Sequence, residues 1–279
     1  MLRSLDRNPP YPLEATDLGA FDDSAAVALI VGADERVGEA VGLLAVLATD
    51  PFARSLPIVL AAPTDALSPI AGEIRRLATF YRLSIRLVQT ESGADIYDAL
   101  DAGAGATNAD TLALLSANVL PRTDGWLQRL LQTYRLRGEQ HLVSPTILFE
   151  DGSVRWAGIW LAEHDGRREL THPHVGYPRS ALAGASLEEV SAGTLDCCVL
   201  PRAAFLAAEG FARGYLGFAA KNLDMALRLR VAGTPALWQP EVEMLAAEDA
   251  APAGVELAHR IDRWSFDHRW SLTLASIRG

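Results

Sequence analysis

The sequence predicts an α/β fold with a mostly parallel central sheet, helices on both faces and a more irregular second half. Three observations carry that expectation. A chain of 279 residues is long enough to bury a sizeable core. Hydrophobic residues make up 49% and charged residues 22%, which is globular usage and excludes wholesale disorder. Short apolar runs alternate with segments of helical periodicity through the first half, as βαβ units require.

The elements follow in order. Residues 1–24 contain Pro and Asp, have no period, and are expected to form an N-terminal arm or linker. Residues 25–279 are expected to form a single domain. Ala25–Val31 is a continuous apolar run, the pattern of a strand buried on both faces. After the turn at Gly32–Asp34, Val37, Val41 and Leu44 recur at helical spacing. Pro57–Leu60 reads as a second strand, and Ile70, Ile74 and Leu77 as a second helix. Ser84–Val88, then Ile96, Ala99 and Leu100, then Thr111–Leu115 complete the alternation. A sheet of this kind binds ligands at the carboxyl ends of its strands.

The second half reads differently. Trp126, Leu127, Leu130 and Leu131 mark an amphipathic helix. His141–Phe149 and Ser153–Leu161 read as strands around the turn Glu150–Gly152. Residues 163–187 are polar and read as a long loop. Ser191–Leu200 reads as one strand. Leu223, Ala226 and Leu227 start a helix that ends at Gly233, Pro235–Met244 is extended, and the tail from Val255 is helical and aromatic.

The net charge is −10, so phosphate backbones and anionic lipid surfaces are repelled; nucleic-acid binding is not expected. No apolar run reaches the ~18 residues of a membrane span, and the N-terminus lacks a signal-peptide core. The adjacent Cys197 and Cys198 are no disulfide framework. One of them is expected to face the core. A reducing, cytoplasmic setting follows, for a soluble protein or a domain of a longer chain.

Five stretches carry a family resemblance. They are Leu112–Pro121 with Asp124–Leu127; Val154–Gly158; His172–Gly176; Val190–Thr194 continuing through Arg202, Phe205, Gly210 and Phe211; and Lys221–Arg230 with Gly233 and Pro240. In that order and spacing they resemble family 2 glycosyltransferases of the GT-A fold, most closely bacterial enzymes of surface-polysaccharide assembly. The resemblance implies a nucleotide-sugar donor, a glycan acceptor, and Mg or Mn held by a D-x-D element and a later His to neutralise the leaving diphosphate. It also implies a carboxylate base from an E-D element.

The chemical positions depart from that pattern. The D-x-D place reads Ser116-Ala117-Asn118, the E-D place Lys221-Asn222, the His place Ala246, and the base-binding turn Ala61–Thr64. Neutral oxygens at Ser116 and Asn118 do not match two carboxylates for a divalent cation. The packing positions Trp126, Gly158, Phe205, Gly210, Leu227 and Arg228 persist. Two functions therefore stand side by side: a divergent transferase, and an inactive GT-A module that binds glycan or scaffolds other transferase domains.

Candidate residues carry paired readings. Ser116 and Asn118 either contact a nucleotide without metal or cap a strand end. Lys221 either replaces the metal beside a diphosphate or is an exposed lysine before a helix. Asn222 either contacts the donor or N-caps a helix starting at Leu223. Asp224 either is the surviving acid, in which case Asp224→Asn stops transfer and spares stability, or pairs with Arg228 at i,i+4. Glu248 and Asp249 either supply a displaced carboxylate or form an acidic turn. His172 and His174 would share one side of an extended segment, as acceptor contacts or as zinc ligands. Trp126 is placed on the acceptor side.

Overall fold

The structure is a computed structural model, and it describes residues 12–164, 167–247 and 255–276. Strand β1 (Glu14–Leu18) precedes β2 (Val27–Gly32), α1 (Gly38–Thr49), α2 (Pro51–Arg54), β3 (Ile58–Pro63), α3 (Thr64–Tyr81), β4 (Ile85–Thr90), α4 (Ile96–Gly105) and β5 (Thr111–Ser116). Then follow β6 (Val119–Pro121), α5 (Trp126–Leu136), β7 (Leu142–Leu148), β8 (Val154–Trp156), β9 (Trp160–His164), β10 (Arg167–Thr171), β11 (Glu188–Val190) and β12 (Cys197–Pro201). The chain continues with α6 (Arg202–Ala207), α7 (Phe218–Val231), β13 (Ala236–Ala246) and α8 (Val255–Ser276).

The main sheet runs β1-β4-β3-β2-β5-β12-β7-β13-β11. Strands β4, β3, β2 and β5 are parallel neighbours, as the alternating first half predicts. β12 enters antiparallel between β5 and β7, and β7 pairs in parallel with β13. All six residues of β2, of β3 and of β5 are buried, because helices cover both faces. Odd positions of β2, Leu29 and Val31, pack with α1, α3 and α5. Even positions, Ala28 and Ile30, pack with α4, Phe205 of α6 and Met225 of α7. Each such buried aliphatic side chain contributes about 1.5–3 kcal/mol relative to exposure. α4 comes close to β2 because Gly103 has no side chain there; a Cβ would lie 2.5 Å from Ile30 Cγ2.

Four local readings change. Residues 14–18 of the expected arm form an edge strand, antiparallel to β4. Their apolar alternation is weak, and Arg86 adds side-chain contacts to the strand pairing. Arg86 on β4 pairs with Asp17 at 2.7 Å and Asp23 at 2.8 Å, and sits 4.0 Å over the ring of Phe21. Part of the expected loop 163–187 is the β9–β10 hairpin. The single strand expected over 191–200 shortens to β12, which pairs with β5, and the short β11 on β13 precedes that range. Cys197 and Cys198 are both buried, one in each core layer, because both faces of β12 are covered. Among the described residues no helix is long and apolar enough to cross a membrane.

Candidate functional site

The break before β12 opens a cleft of about 340 Å³ at the carboxyl ends of β5 and β7. Asn118 reaches it from the segment after β5, and Arg155 and Trp156 from β8. Tyr97 comes from the first turn of α4, Phe218 and Asn222 from α7, and Asp196 from the break itself. Of the residues singled out in the sequence, Asn118, Asn222 and His172 line this cleft.

Asp196 is fixed on one side only. The Ser116 N–H donates to the Asp196 carbonyl at 2.7 Å, and the Asp196 N–H donates to Thr194 Oγ1 at 3.1 Å. These bonds turn the carboxylate out of the sheet. The Tyr97 hydroxyl donates to Asp196 Oδ1 at 2.7 Å and the Ser116 hydroxyl at 3.3 Å. Oδ2 has no hydrogen-bond partner among the described residues. Burial and the Asp196 charge hold the Tyr97 phenol well above its ordinary range, so it stays a donor.

Asn222 braces the break. It lies inside α7, whose first residue is Phe218, so it is not the N-cap of a helix from Leu223. Its Oδ1 accepts from the Leu195 N–H at 2.9 Å and its Nδ2 donates to Thr194 Oγ1 at 3.2 Å. A buried carboxamide with both ends used positions the backbone of 194–196.

Lys221 is not an exposed lysine before a helix; it is buried in α7 and its ammonium pairs with Asp95. Asp95 caps α4, accepting from the N–H groups of Tyr97 at 2.9 Å and Asp98 at 3.0 Å, while Asp98 returns a bond to the Asp95 N–H. Arg213 pairs with Asp98 at 3.2 Å. Burial, then the neighbouring Asp95 charge, push the Asp98 carboxyl up. Lys221 thus holds two helices together and does not line the cleft.

The three positions where the resemblance implies metal ligands do meet in space. Val119 pairs with Ala246, and the Ala247 N–H donates to the Asn118 carbonyl at 2.9 Å. Their chemistry does not suit a divalent cation. Ala246 offers a methyl group, Ser116 is committed to Asp196, and Asn118 is a neutral amide. Hard divalent cations take several anionic oxygens. Among the described residues no three His, Cys, Asp or Glu side chains are grouped to hold an ion.

Asp224 lies outside the cleft. It is fully buried against α8. Its Oδ2 pairs with Arg228 at 2.8 Å. Its Oδ1 accepts from Trp270 Nε1 at 2.9 Å, Arg269 Nε at 3.2 Å and the Tyr215 hydroxyl at 3.4 Å. Arg228 also donates to the carbonyl of Gly210 at 2.7 Å and to that of Ala208. Gly210 has φ +72°, and a Cβ there would lie 2.7 Å from an Asp101 oxygen. The retained Gly210-Phe211, Asp224 and Arg228 thus form one packing network.

Asp101 closes that network. Its Oδ2 accepts from the Phe211 N–H at 2.9 Å, while Oδ1 is buried without a partner among the described residues. Burial pushes its carboxyl well above the ordinary 3.8. The unfolded chain ionises Asp101 near that ordinary value; the folded chain keeps the proton. Stability therefore falls as pH rises above it, by up to about 1.4 kcal/mol per unit, until the folded group titrates. Asp101→Asn removes this slope. Thermal melts should show the variant more stable than wild type at pH 8, with the gap closing towards pH 4.

The remaining candidates separate. His172 packs edge-on against Trp156 at 4.7 Å, and desolvation lowers its pKa. His174 instead contacts Trp160 and Trp238, so the two imidazoles do not form a metal pair. Trp126 is a core residue of α5 beside α1 and α2, away from the cleft. Glu248 and Asp249 lie outside the described residues. Tyr97, Arg155 and Asp196 were missed in the sequence. Asp196 has a visible signal, being the one acid in the otherwise apolar stretch from Ala192 to Leu200.

No protein-family model matches the chain. An uncharacterized protein, y4gI of Sinorhizobium fredii, is 29% identical over 161 residues, which is 56% of this chain and 17% of that protein. Three solved structures share the fold. GalNAc-T7 with UDP, GalNAc and Mn2+ aligns with 80% of this chain and 44% of its own at TM-score 0.57 and 12% identity. The mannosyltransferase PcManGT of Pyrobaculum calidifontis, with GDP-Man and Mn2+, aligns with 88% of this chain and 63% of its own at TM-score 0.57 and 16% identity. S. aureus TarS 1-349 with UDP-GlcNAc aligns with 86% and 66% at TM-score 0.58 and 10% identity. The fold is that of GT-A-type glycosyltransferases, and the chain spans less than two thirds of each of the three.

Proposed function

We propose that the cleft binds a nucleotide-sugar and transfers its sugar to a glycan hydroxyl, with Asp196 as the base. One observation carries this reading: an anchored carboxylate whose Oδ2 is left open in a cleft at the strand ends. The transferase fold supports it, though fold alone does not establish function. The acceptor oxygen attacks the anomeric carbon and its proton passes to Asp196 Oδ2. The bond from that carbon to the diphosphate oxygen breaks, and its electron pair leaves with the diphosphate. A single displacement of this kind inverts the anomeric centre. The aromatic faces of Trp156 and Phe218 provide apolar walls for a sugar or base. The resemblance to family 2 enzymes supports a bacterial surface polysaccharide as the acceptor class. Nucleotide sugars and two free thiols both suit a reducing cytoplasm.

A second reading, a non-catalytic glycan-binding or scaffolding module, is favoured by the loss of charged groups at Ser116, Asn118 and Ala246. It would sit beside other transferase domains in a longer chain. A thermal-shift panel of UDP, GDP, CDP and dTDP and their sugars tests the first step. A bound member at about 100 times its Kd should add about 2.7 kcal/mol of stability. Release of nucleoside diphosphate with a glycan acceptor then supports transfer. Binding without release supports the module, and a flat panel overturns the donor cleft and leaves the glycan-binding or scaffolding module.

A further inference from the structure

We infer that Arg155 replaces the divalent cation, holding the donor diphosphate directly so that binding needs no metal. The inference rests on the donor-cleft reading above. Its first support is the state of the cations around the cleft. Lys221 is committed to Asp95 and Arg213 to Asp98. Arg155 lines the cleft, half-buried, with no hydrogen bond or ion pair among the described residues. Its charge already acts on the buried Tyr97 hydroxyl. In a chain of net charge −10, a half-buried guanidinium that no carboxylate pairs directly, at a concave site, suits an anion subsite.

The second support is placement. Arg155 is the extra residue of a β-bulge in β8, flanked by the pairs Val154↔Leu148 and Trp156↔Ile147. A bulge of this kind leaves its extra residue out of the ladder and re-aims the side chain, and bulges are over-represented next to active sites. The third is chemistry. A planar guanidinium presents parallel N–H donors that match phosphate oxygens, and it carries its charge at every working pH. It would stabilise charge building on the leaving diphosphate in a partly dry cleft. Asn118, whose side chain has no hydrogen-bond partner among the described residues, adds a neutral donor to the same cleft. Together they supply what Ser116, Asn118 and Ala246 cannot supply through a metal.

Isothermal titration with inorganic pyrophosphate, and with UDP, GDP, CDP and dTDP, tests this in excess EDTA and again with Mn2+. The expected result is binding that EDTA does not weaken. Arg155→Ala should lose about 10- to 100-fold in affinity for pyrophosphate, as the loss of charged hydrogen bonds predicts. Arg155→Lys should retain part of it. Arg129→Ala, an exposed arginine on α5, should bind as wild type. Unchanged melting of Arg155→Ala would show that the loss is local. Nucleotide binding that requires Mn2+, or that survives Arg155→Ala intact, overturns the inference and leaves the donor reading standing. No binding of any diphosphate, with or without Mn2+, overturns both.

Discussion

Asp224→Ala is expected to lower the unfolding free energy by about 3–5 kcal/mol, the range for breaking a buried charge cluster. The carboxylate is fully buried and serves four donors from three parts of the chain. Arg228 and Arg269 would be left facing each other's charge with the shared anion gone. Trp270 would lose the partner of its indole N–H, and α8 its polar anchor on α7. The apolar contacts of Phe266, Trp270 and Leu274 with Tyr215 and Leu227 would remain. Urea denaturation reads the total, and hydrogen exchange should place the loss first in α8. The catalytic reading of Asp224 implies the reverse for Asp224→Asn, lost transfer at unchanged stability, whereas the ion-pair reading with Arg228 is the one the 2.8 Å contact bears out. A variant that keeps wild-type stability and loses turnover would return Asp224 to the chemistry.

The contrast shows what a sequence of this kind reveals. Apolar runs such as Ala25–Val31 and Thr111–Leu115 announce a doubly covered sheet, because strands buried on both faces have no polar alternation. The retained motif residues were equally visible, but their purpose was not. Gly210, Phe211, Asp224 and Arg228 form a single packed network with Asp101, which no local spacing announces. Asn222 looked like a helix cap since the helix start at Gly217–Phe218 carries no side-chain cap of its own. That start is held from a distance: the Leu216 and Gly217 N–H groups donate to Asp262 of α8 at 2.8 and 2.6 Å. Lys221 and Asp95 are 126 positions apart, so no local spacing announces their pairing. The same holds for Tyr97 and Asp196, whose hydrogen bond creates the site.

Asp196→Asn is expected to cut sugar transfer by about 10²–10⁴-fold, the usual worth of a positioned general base. The carboxamide oxygen can still accept from Tyr97 and Ser116, so stability should change by under about 1 kcal/mol. The amide nitrogen would take the place of Oδ2, where no group of the described residues is bonded, and it cannot accept the acceptor's proton. Donor affinity should hold or rise slightly, since one negative charge leaves the neighbourhood of the diphosphate. The expected signature is therefore a fall in kcat with KM for the donor nearly unchanged. Tyr97→Phe is the companion variant. It removes the 2.7 Å bond and leaves only the 3.3 Å contact from Ser116, so Asp196 loses its orientation and keeps its charge. A smaller fall in kcat, again at constant donor KM, should follow. If Asp196→Asn transfers sugar at the wild-type rate, the proton leaves by another route. Asp224 cannot provide it while buried between two arginines, and the assignment of the cleft as a catalytic site would fall with Asp196.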